Sequence, residues 1–306
     1  MNTKWREWFG WSKSRQELWD GCRRQYYYQY IGKHEGNQQA IVIKRLSRLT
    51  VLPFWRGKLI HDAVAMLIGT RSEESLGDQQ KAKSYARIHI RKLQHQPEAV
   101  LAEANNGFRI ADEYYQILYE DISHQIDVFC TTVWPRYTDR KILHRDVGSL
   151  GFKPTSFEWD GLRIWVSPDL VTSLPDASIV ITDWKTGRSE WEDAASSQQI
   201  TCYIGWAVSE LGGTLETTRG ELVFLRTGEI QEAGRTRSQL DDFQNYVRVQ
   251  TEEMLRVSHP DDMPASPDQR RCPRCPFAII CHEGREILKA ALVFSPAIYP
   301  PDIESS

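Results

Sequence analysis

No run of eighteen apolar residues occurs in the 306-residue chain, so a membrane-spanning helix is not expected. The opening MNTKWREWFG has no apolar core of the secretory kind, and the expectation is a soluble, cytoplasmic protein. No P-loop is present, so an ATP-driven motor would have to be another chain. No internal repeat is evident. Neither sign of charge dominates: 38 Lys and Arg stand against 41 Asp and Glu, a formal net charge of −3. Any nucleic-acid groove must therefore be a local basic patch on a neutral or acidic body. Cysteines are few, six in all, and an intracellular setting argues against disulfides. What is present is a 41% hydrophobic fraction, enough for a sizeable core in one large domain or two.

The chain is organised around Leu162 to Tyr203. Thr155–Trp159 and Leu162–Leu170 are β-branched and aromatic runs joined by Asp160-Gly161, a tight-hairpin signal. Ser178–Trp184, with Ile179, Val180 and Ile181, suits a central strand buried on both faces. Asp183 and Lys185 lie two apart at its end and share a face. From Ser189 to Leu211 the pattern is helical, with Ser189 and Glu192 as a capping box and Gly212-Gly213 as a stop. Gln199 and Tyr203, four apart, share one face of that helix. Asp169, after Pro168, adds a second carboxylate. Two carboxylates converging at strand ends beside a lysine suit phosphodiester hydrolysis with Mg²⁺ or Mn²⁺, because these hard ions prefer carboxylate oxygen. Alone, Asp183 and Lys185 would be an ordinary strand-end ion pair.

Elsewhere the pattern is mainly helical. Ser14 with Glu17 marks a helix carrying Leu18, Cys22 and Tyr26, and Tyr27, Tyr28 and Tyr30 follow beside Arg23 and Arg24. Interleaved aromatics and arginines can stack on bases and hold phosphates, or simply form core and surface. Residues 56–69 form an amphipathic helix with His61 beside its apolar stripe. Residues 71–146 are polar and helical in pattern and are taken as a helical insertion within a single domain spanning 1–306. Glu221–Leu225 and Ile230-Gln231 suit strands, residues 238–257 suit a helix capped by Ser238 with Asp241, and 295–306 suits a flexible tail. Cys130 and Cys202 fall in apolar helical patterns and are read as buried. Cys272, Cys275 and Cys281 make C-x2-C-x5-C within 270–285, a metal-centre spacing that needs a fourth ligand. Cys22 is the best candidate and His282 a weak rival. Four thiolates suit zinc or a [4Fe–4S] cluster.

Taken in order, these residues resemble the PD-(D/E)XK nuclease superfamily, in particular its RecB-like branch with an iron–sulfur cluster. That branch includes the CRISPR-adaptation exonucleases and AddB-type helicase–nuclease subunits. The likeness runs through Ser12-x-Ser14, Cys22 to Tyr28, the His61 helix, Pro168-Asp169, Asp183 to Gly187, Gln199-x-x-x-Tyr203 and the cysteine triplet. Ser167 departs from it, standing where relatives often have glycine. The resemblance implies an α/β fold with a mixed central sheet of the restriction-endonuclease-like type, an αβββαβ core, and an iron–sulfur region joining both chain ends. It also implies that His61, Asp169, Asp183 and the Trp184 backbone carbonyl hold Mn²⁺ or Mg²⁺, and that Lys185 assists the attacking water. Gln199 and Tyr203 would contact DNA or position Lys185. Cys22, Cys272, Cys275 and Cys281 would hold the [4Fe–4S] cluster, and Arg23 and Arg24 with Arg270, Arg271 and Arg274 would gather near it, where they could contact DNA.

The expected activity is a metal-dependent deoxyribonuclease, an exonuclease rather than an endonuclease, acting on single-stranded DNA or DNA ends. The settings implied are recombination or repair, defence, or CRISPR adaptation, with a helicase or adaptation-complex protein as partner and no membrane. Two other readings are a catalytically silent scaffold that binds DNA or a partner protein, and a zinc-stabilised protein acting on RNA. Retention of His61, Asp169, Asp183 and Lys185 together argues against the silent scaffold.

Overall fold

Burial of β-branched residues decides where the sheet forms. In the computed structural model, which describes residues 9–69, 76–145, 155–189, 192–257, 259–294 and 297–298, every residue from Ile179 to Trp184 is buried. The α-helices of eight residues or more among the described residues are α1 (Lys13–Gly21), α2 (Arg23–Tyr30), α3 (Gln38–Leu46), α4 (Leu52–Gly69), α5 (Gln79–His95), α6 (Asp112–Val128), α7 (Gln198–Glu210), α8 (Arg237–Arg256) and α9 (His282–Phe294). The strands are β1 (Arg109–Ile110), β2 (Lys141–Arg145), β3 (Thr155–Trp159), β4 (Leu162–Val166), β5 (Leu170–Ser173), β6 (Ile179–Lys185), β7 (Thr218–Phe224), β8 (Glu229–Ala233) and β9 (Ala297–Ile298). Two compact units result. One comprises the chain up to Arg56, Ile90–Leu118 and the chain from Val249 on; the other comprises Gly57–His89 and Tyr119–Arg248. None of the described helices is long and apolar enough to cross a membrane.

The second unit holds a mixed five-stranded sheet in the order β2-β5-β6-β7-β8. Only β6 and β7 run parallel, so a crossover must join them, and α7 supplies it. A Cβ at Gly220 on β7 would run into Ile200 of α7, so glycine there lets the helix lie against the sheet. Followed along the chain, β2, β5, β6, α7 and β7 give the βββαβ part of the expected core, with the β3–β4 hairpin inserted and β8 added at the edge. At the hairpin turn both Asp160 (φ 48°) and Gly161 (φ 77°) are left-handed, as a type I′ turn requires.

Several boundaries differ from expectation, each for a local reason. The strand expected over 162–170 is interrupted. Pro168 offers no N–H to a ladder, so the chain leaves the hairpin at Val166 and joins the main sheet at Leu170. The helix expected from Ser189 begins only at Gln198, because Asp193 accepts from the N–H groups of Ala195 and Ser196 at 3.1 Å and holds a turn there. Ser197 is the cap, accepting from the Ile200 N–H at 3.3 Å. Likewise Ser12, not Ser14, caps α1, accepting from the Arg15 N–H at 3.2 Å. The capping box before α8 is Thr236 with Gln239 rather than Ser238 with Asp241. Lys141–Arg145, placed in the helical insertion by its polarity, is the antiparallel strand β2, at an edge of the sheet where a polar face is tolerated. The extended Cys22 (φ −160°, ψ 107°) separates α1 from α2, so this cysteine sits at a break and not within a helix.

The first unit has its own aromatic core. Trp19, Tyr26, Tyr27, Tyr28, Ile43 and Phe277 are buried together, so of the two readings of the N-terminal tyrosines the core one holds for these three. The segment 295–306, expected as a flexible tail, lies outside the described residues except for β9, which pairs in parallel with β1.

Candidate active site

Asp183, Lys185 and Asp169 meet through strand register. Leu170 opposes Thr182 in the antiparallel β5–β6 pair, which brings Asp169, one residue before β5, alongside the end of β6. Past the last ladder pair the Trp184 N–H is left over, and Asp169 Oδ2 accepts it at 2.7 Å. The other Asp169 oxygen lies 2.7 Å from Nδ1 of His61 on α4. An Nδ1–H donating to a carboxylate leaves the ring's lone pair on Nε2. The Trp184 ring packs edge-on against Phe129 and Tyr137, fixing the strand end.

Asp183, 5% exposed, is held from the other side. Lys185 Nζ stands 3.1 Å from its Oδ2, and Gln199 Nε2 donates to its Oδ1 at 2.8 Å. The same Gln199 accepts from Lys185 through Oε1 at 3.1 Å and donates to Tyr203 Oη at 2.8 Å. Tyr203 in turn donates to the Ser167 carbonyl at 2.9 Å. The Gln-x-x-x-Tyr helix face therefore ties the lysine, the aspartate and the Ser167 backbone into one network. Burial raises the Asp183 carboxyl, and Asp169 adds to the rise against Lys185 and His61. For Lys185 burial works against the ammonium, but Asp183 and Glu192 outweigh it and hold its pKa above the ordinary value. Burial also pushes the Tyr203 hydroxyl well up, so it remains a donor.

Three supports escaped sequence reasoning. Glu192, read as a helix cap, is instead an ion-pair partner of Lys185 at 2.6 Å. Arg235 is buried without an ion-pair partner among the described residues; its guanidinium donates to Thr201 Oγ1 and to the Ala194 and Ser197 carbonyls, pinning the start of α7. Glu221 on β7, 2% exposed, accepts from Tyr137, Arg140 and Thr182, so the carboxylate beneath the site is fully satisfied. A charged residue inside the apolar run of β7 was the one available signal.

Cys22, Cys272, Cys275 and Cys281 all line one open pocket of the first unit, together with Arg24 and Arg271. Each sulfur meets a backbone N–H: Ser266 to Cys22 and Asp268 to Cys272, both at 3.4 Å, Phe277 to Cys275 and Gly284 to Cys281. Such donors favour thiolate. Burial opposes them and pushes the Cys275 thiol up to about 12. Asn106 clamps the knuckle, donating to the Pro273 and Cys275 carbonyls at 2.9 and 3.0 Å. In sequence, Asn105-Asn106-Gly107 reads only as an interruption of the helical pattern. Arg24 donates to the Met263 carbonyl at 2.9 Å, and Arg23 lies over the Trp19 ring and 4.0 Å from Glu253. Both arginines belong to this unit and not to the one holding the sheet cluster. Cys202 is buried and Cys130 half-buried.

Among the described residues no three or more His, Cys, Asp or Glu side chains stand ready to hold a metal ion. In the sheet cluster the donor atoms are turned on one another, and at the cysteines the sulfurs are turned on backbone N–H groups.

Fold and site thus define an α/β protein whose central strand ends in a cluster of two carboxylates, a histidine and a lysine. Residues 10–282 match the family model of the PD-(D/E)XK nuclease superfamily, and the chain belongs to that superfamily. Its members generally hydrolyse nucleic acids. No curated protein matches the chain closely enough to serve as a relative.

Proposed function

We propose that the chain is a metal-dependent DNA nuclease whose centre is the cluster at the end of β6. The observation that carries this reading is the single network joining His61, Asp169, Asp183, Lys185, Gln199 and Tyr203. The donor chemistry fits a hard divalent ion, since two buried carboxylates and an imidazole converge, and burial together with the Asp169 charge raises the Asp183 carboxyl. His61, Asp169, Asp183 and the Trp184 carbonyl would hold Mn²⁺ or Mg²⁺, which when bound supplies Lewis acidity toward water and phosphate. Lys185 keeps an ammonium beside the reacting phosphate and orients the attacking water. Gln199 sets where that ammonium points, and Tyr203 sets Gln199. Exonuclease action on single strands or ends, in recombination, repair, defence or CRISPR adaptation, completes the proposal and rests on the resemblance.

At the cysteines the same reading places a [4Fe–4S] cluster, with zinc as the alternative. Support comes from four sulfurs facing one pocket, each beside an N–H donor. Visible absorbance with iron and zinc analysis of anaerobically purified protein separates the two.

The test of the nuclease reading is cleavage of end-labelled single- and double-stranded DNA with Mn²⁺, Mg²⁺ or EDTA, beside Lys185→Ala. Cutting that needs the ion and is lost in the variant is the expected result. A folded, cofactor-loaded protein that cuts neither substrate overturns it in favour of a DNA- or protein-binding scaffold.

A further inference from the structure

A second cluster of charge lies in the cysteine-bearing unit. Gly32–His34 forms a single 3-10 turn after α2, and it presses on α3: a Cβ at Gly32 would stand 2.9 Å from the Tyr27 ring and 3.2 Å from Ile43. That packing carries Lys33 into electrostatic range of Lys44 on α3 and of Arg15 on α1, and His34 into range of both lysines. Arg15 itself lies over aromatic rings, with its guanidinium carbon 4.1 Å from the Tyr30 ring centre and 4.8 Å from that of Phe9, and it donates to Tyr26 Oη at 3.2 Å. A stacked guanidinium keeps edge donors for a planar or tetrahedral oxyanion.

Among the described residues no carboxylate pairs with this group. Glu17 is engaged by Lys13 at 3.6 Å, and Glu35 accepts from Tyr27 at 2.6 Å and from Asn37 at 3.3 Å. Among the described residues Arg15, Lys33 and Lys44 make no ion pair. Like charges gathered without a counter-ion oppose folding, and burial together with Arg15 and Lys44 pushes the Lys33 amine down. Such a group is stabilised by an anion from outside the chain.

We propose that Arg15, Lys33 and Lys44 form a phosphate-binding subsite for a single nucleic-acid strand. The choice of strand as the anion rests on the nuclease reading above. The aromatic backing of Arg15 suits it, because an arginine stacked on tyrosine can meet both a phosphate and the face of a base.

Anisotropy of a labelled single-stranded oligonucleotide, titrated without added divalent ion over a range of salt concentrations, tests the subsite on the full chain. With Lys33→Ala/Lys44→Ala the slope of log affinity against log salt should fall by about 1.4, since each phosphate that a cation neutralises on a single strand adds roughly 0.7 to it. The melting temperature should hold or rise, since repulsion is relieved. Lys44→Ala alone, at an exposed position, should lower the slope by about half as much. Lys289→Ala, whose amine pairs with Glu286 at 2.8 Å, should leave it unchanged. An unchanged slope in the double variant overturns the proposal. So does a wild-type chain that does not hold the strand, or displacement of the strand by inorganic phosphate at equal ionic strength. A wild type that binds with the steeper slope but never cuts sinks the nuclease reading and leaves this subsite standing.

Discussion

The six side chains gathered at the end of β6 hold one another, whereas the four cysteines meet mainly backbone N–H groups, with one side-chain partner, Glu283, which accepts from Cys281 at 3.3 Å. In the first group the parts come from regular elements: β6, the start of β5, α4 and α7. Partners are supplied within the group, Lys185 for Asp183, and His61 with a backbone N–H for Asp169. In the second group the parts come from interruptions: the break at Cys22, the turn at Cys272, and the loop and turn carrying Cys275 and Cys281. Cys22 and Cys272 lie 250 positions apart in the chain. Inward-facing packing such as Phe277 on Tyr28 helps to join those segments, but no side-chain bond links the four sulfurs. The difference teaches what each site asks of an ion. The sheet cluster is assembled by the fold and would take a metal for chemistry. The cysteine pocket would take one as a crosslink, and closing so long a loop restricts the unfolded chain.

The largest effect should therefore come from the cysteines. Cys275→Ser should empty the pocket of metal and lower the melting temperature by about 10 °C or more, since structural metal sites contribute several kcal/mol to folding. Metal analysis and a thermal melt read this directly. A variant with an empty pocket and wild-type melting would show the pocket to be as self-sufficient as the sheet cluster.

Next comes Lys185→Ala, which leaves the buried Asp183 carboxylate without its cation. Removing one partner of a buried pair costs roughly 3 kcal/mol, and here both side chains are largely enclosed, 15% and 7% exposed. Without divalent ion the melting temperature should fall by several degrees, and Mn²⁺ should restore most of the loss while cleavage stays at least about 100-fold down. If Mn²⁺ restores nothing, the ion does not reach Asp183 and the contrast between the two sites fails.

A smaller effect lies in pH. Burial, then Asp169, raises the Asp183 carboxyl, so between the ordinary aspartate range and that raised value the folded chain binds more protons than the unfolded one. Stability of the metal-free protein should then rise as pH is lowered through that window. Lys185, held above its ordinary pKa, stays charged throughout and adds no slope there. Asp183→Asn should flatten the profile, as followed by urea denaturation across pH, and a slope that survives the substitution assigns it elsewhere.

Much of this was legible in the sequence where the cause is local. The apolar run Ile179–Ile181 marked a central strand, Asp160-Gly161 marked a hairpin, and spacings of two and four placed Asp183 with Lys185 and Gln199 with Tyr203. Where competing local signals met, the reading failed: Ser14 and Ser238 look like caps as much as Ser12 and Thr236 do, and only the observed hydrogen bonds decide. Residues whose partners are distant in sequence gave no signal. Asn106 reads as a helix breaker until the Cys275 loop is placed beside it, and nothing in the sequence singles out Arg235, whose guanidinium donates to the carbonyls of Ala194 and Ser197.

The last test concerns the two carboxylates that share Lys185. Asp183 is buried and Glu192, at 2.6 Å, is nearly half-exposed, with 46% of its side chain open to solvent. Coulomb attraction at similar distances is screened far more strongly on the exposed side, so the Glu192 pair is worth at most about 1 kcal/mol although it is the shorter contact. Glu192→Gln should accordingly leave melting within a degree or two and change cleavage only a few-fold. That few-fold effect should shrink as ionic strength rises, because salt screens an exposed pair first. A salt-independent loss as large as that of Lys185→Ala would instead place Glu192 inside the reacting centre, and Lys185 would then depend on its loop carboxylate as much as on the strand.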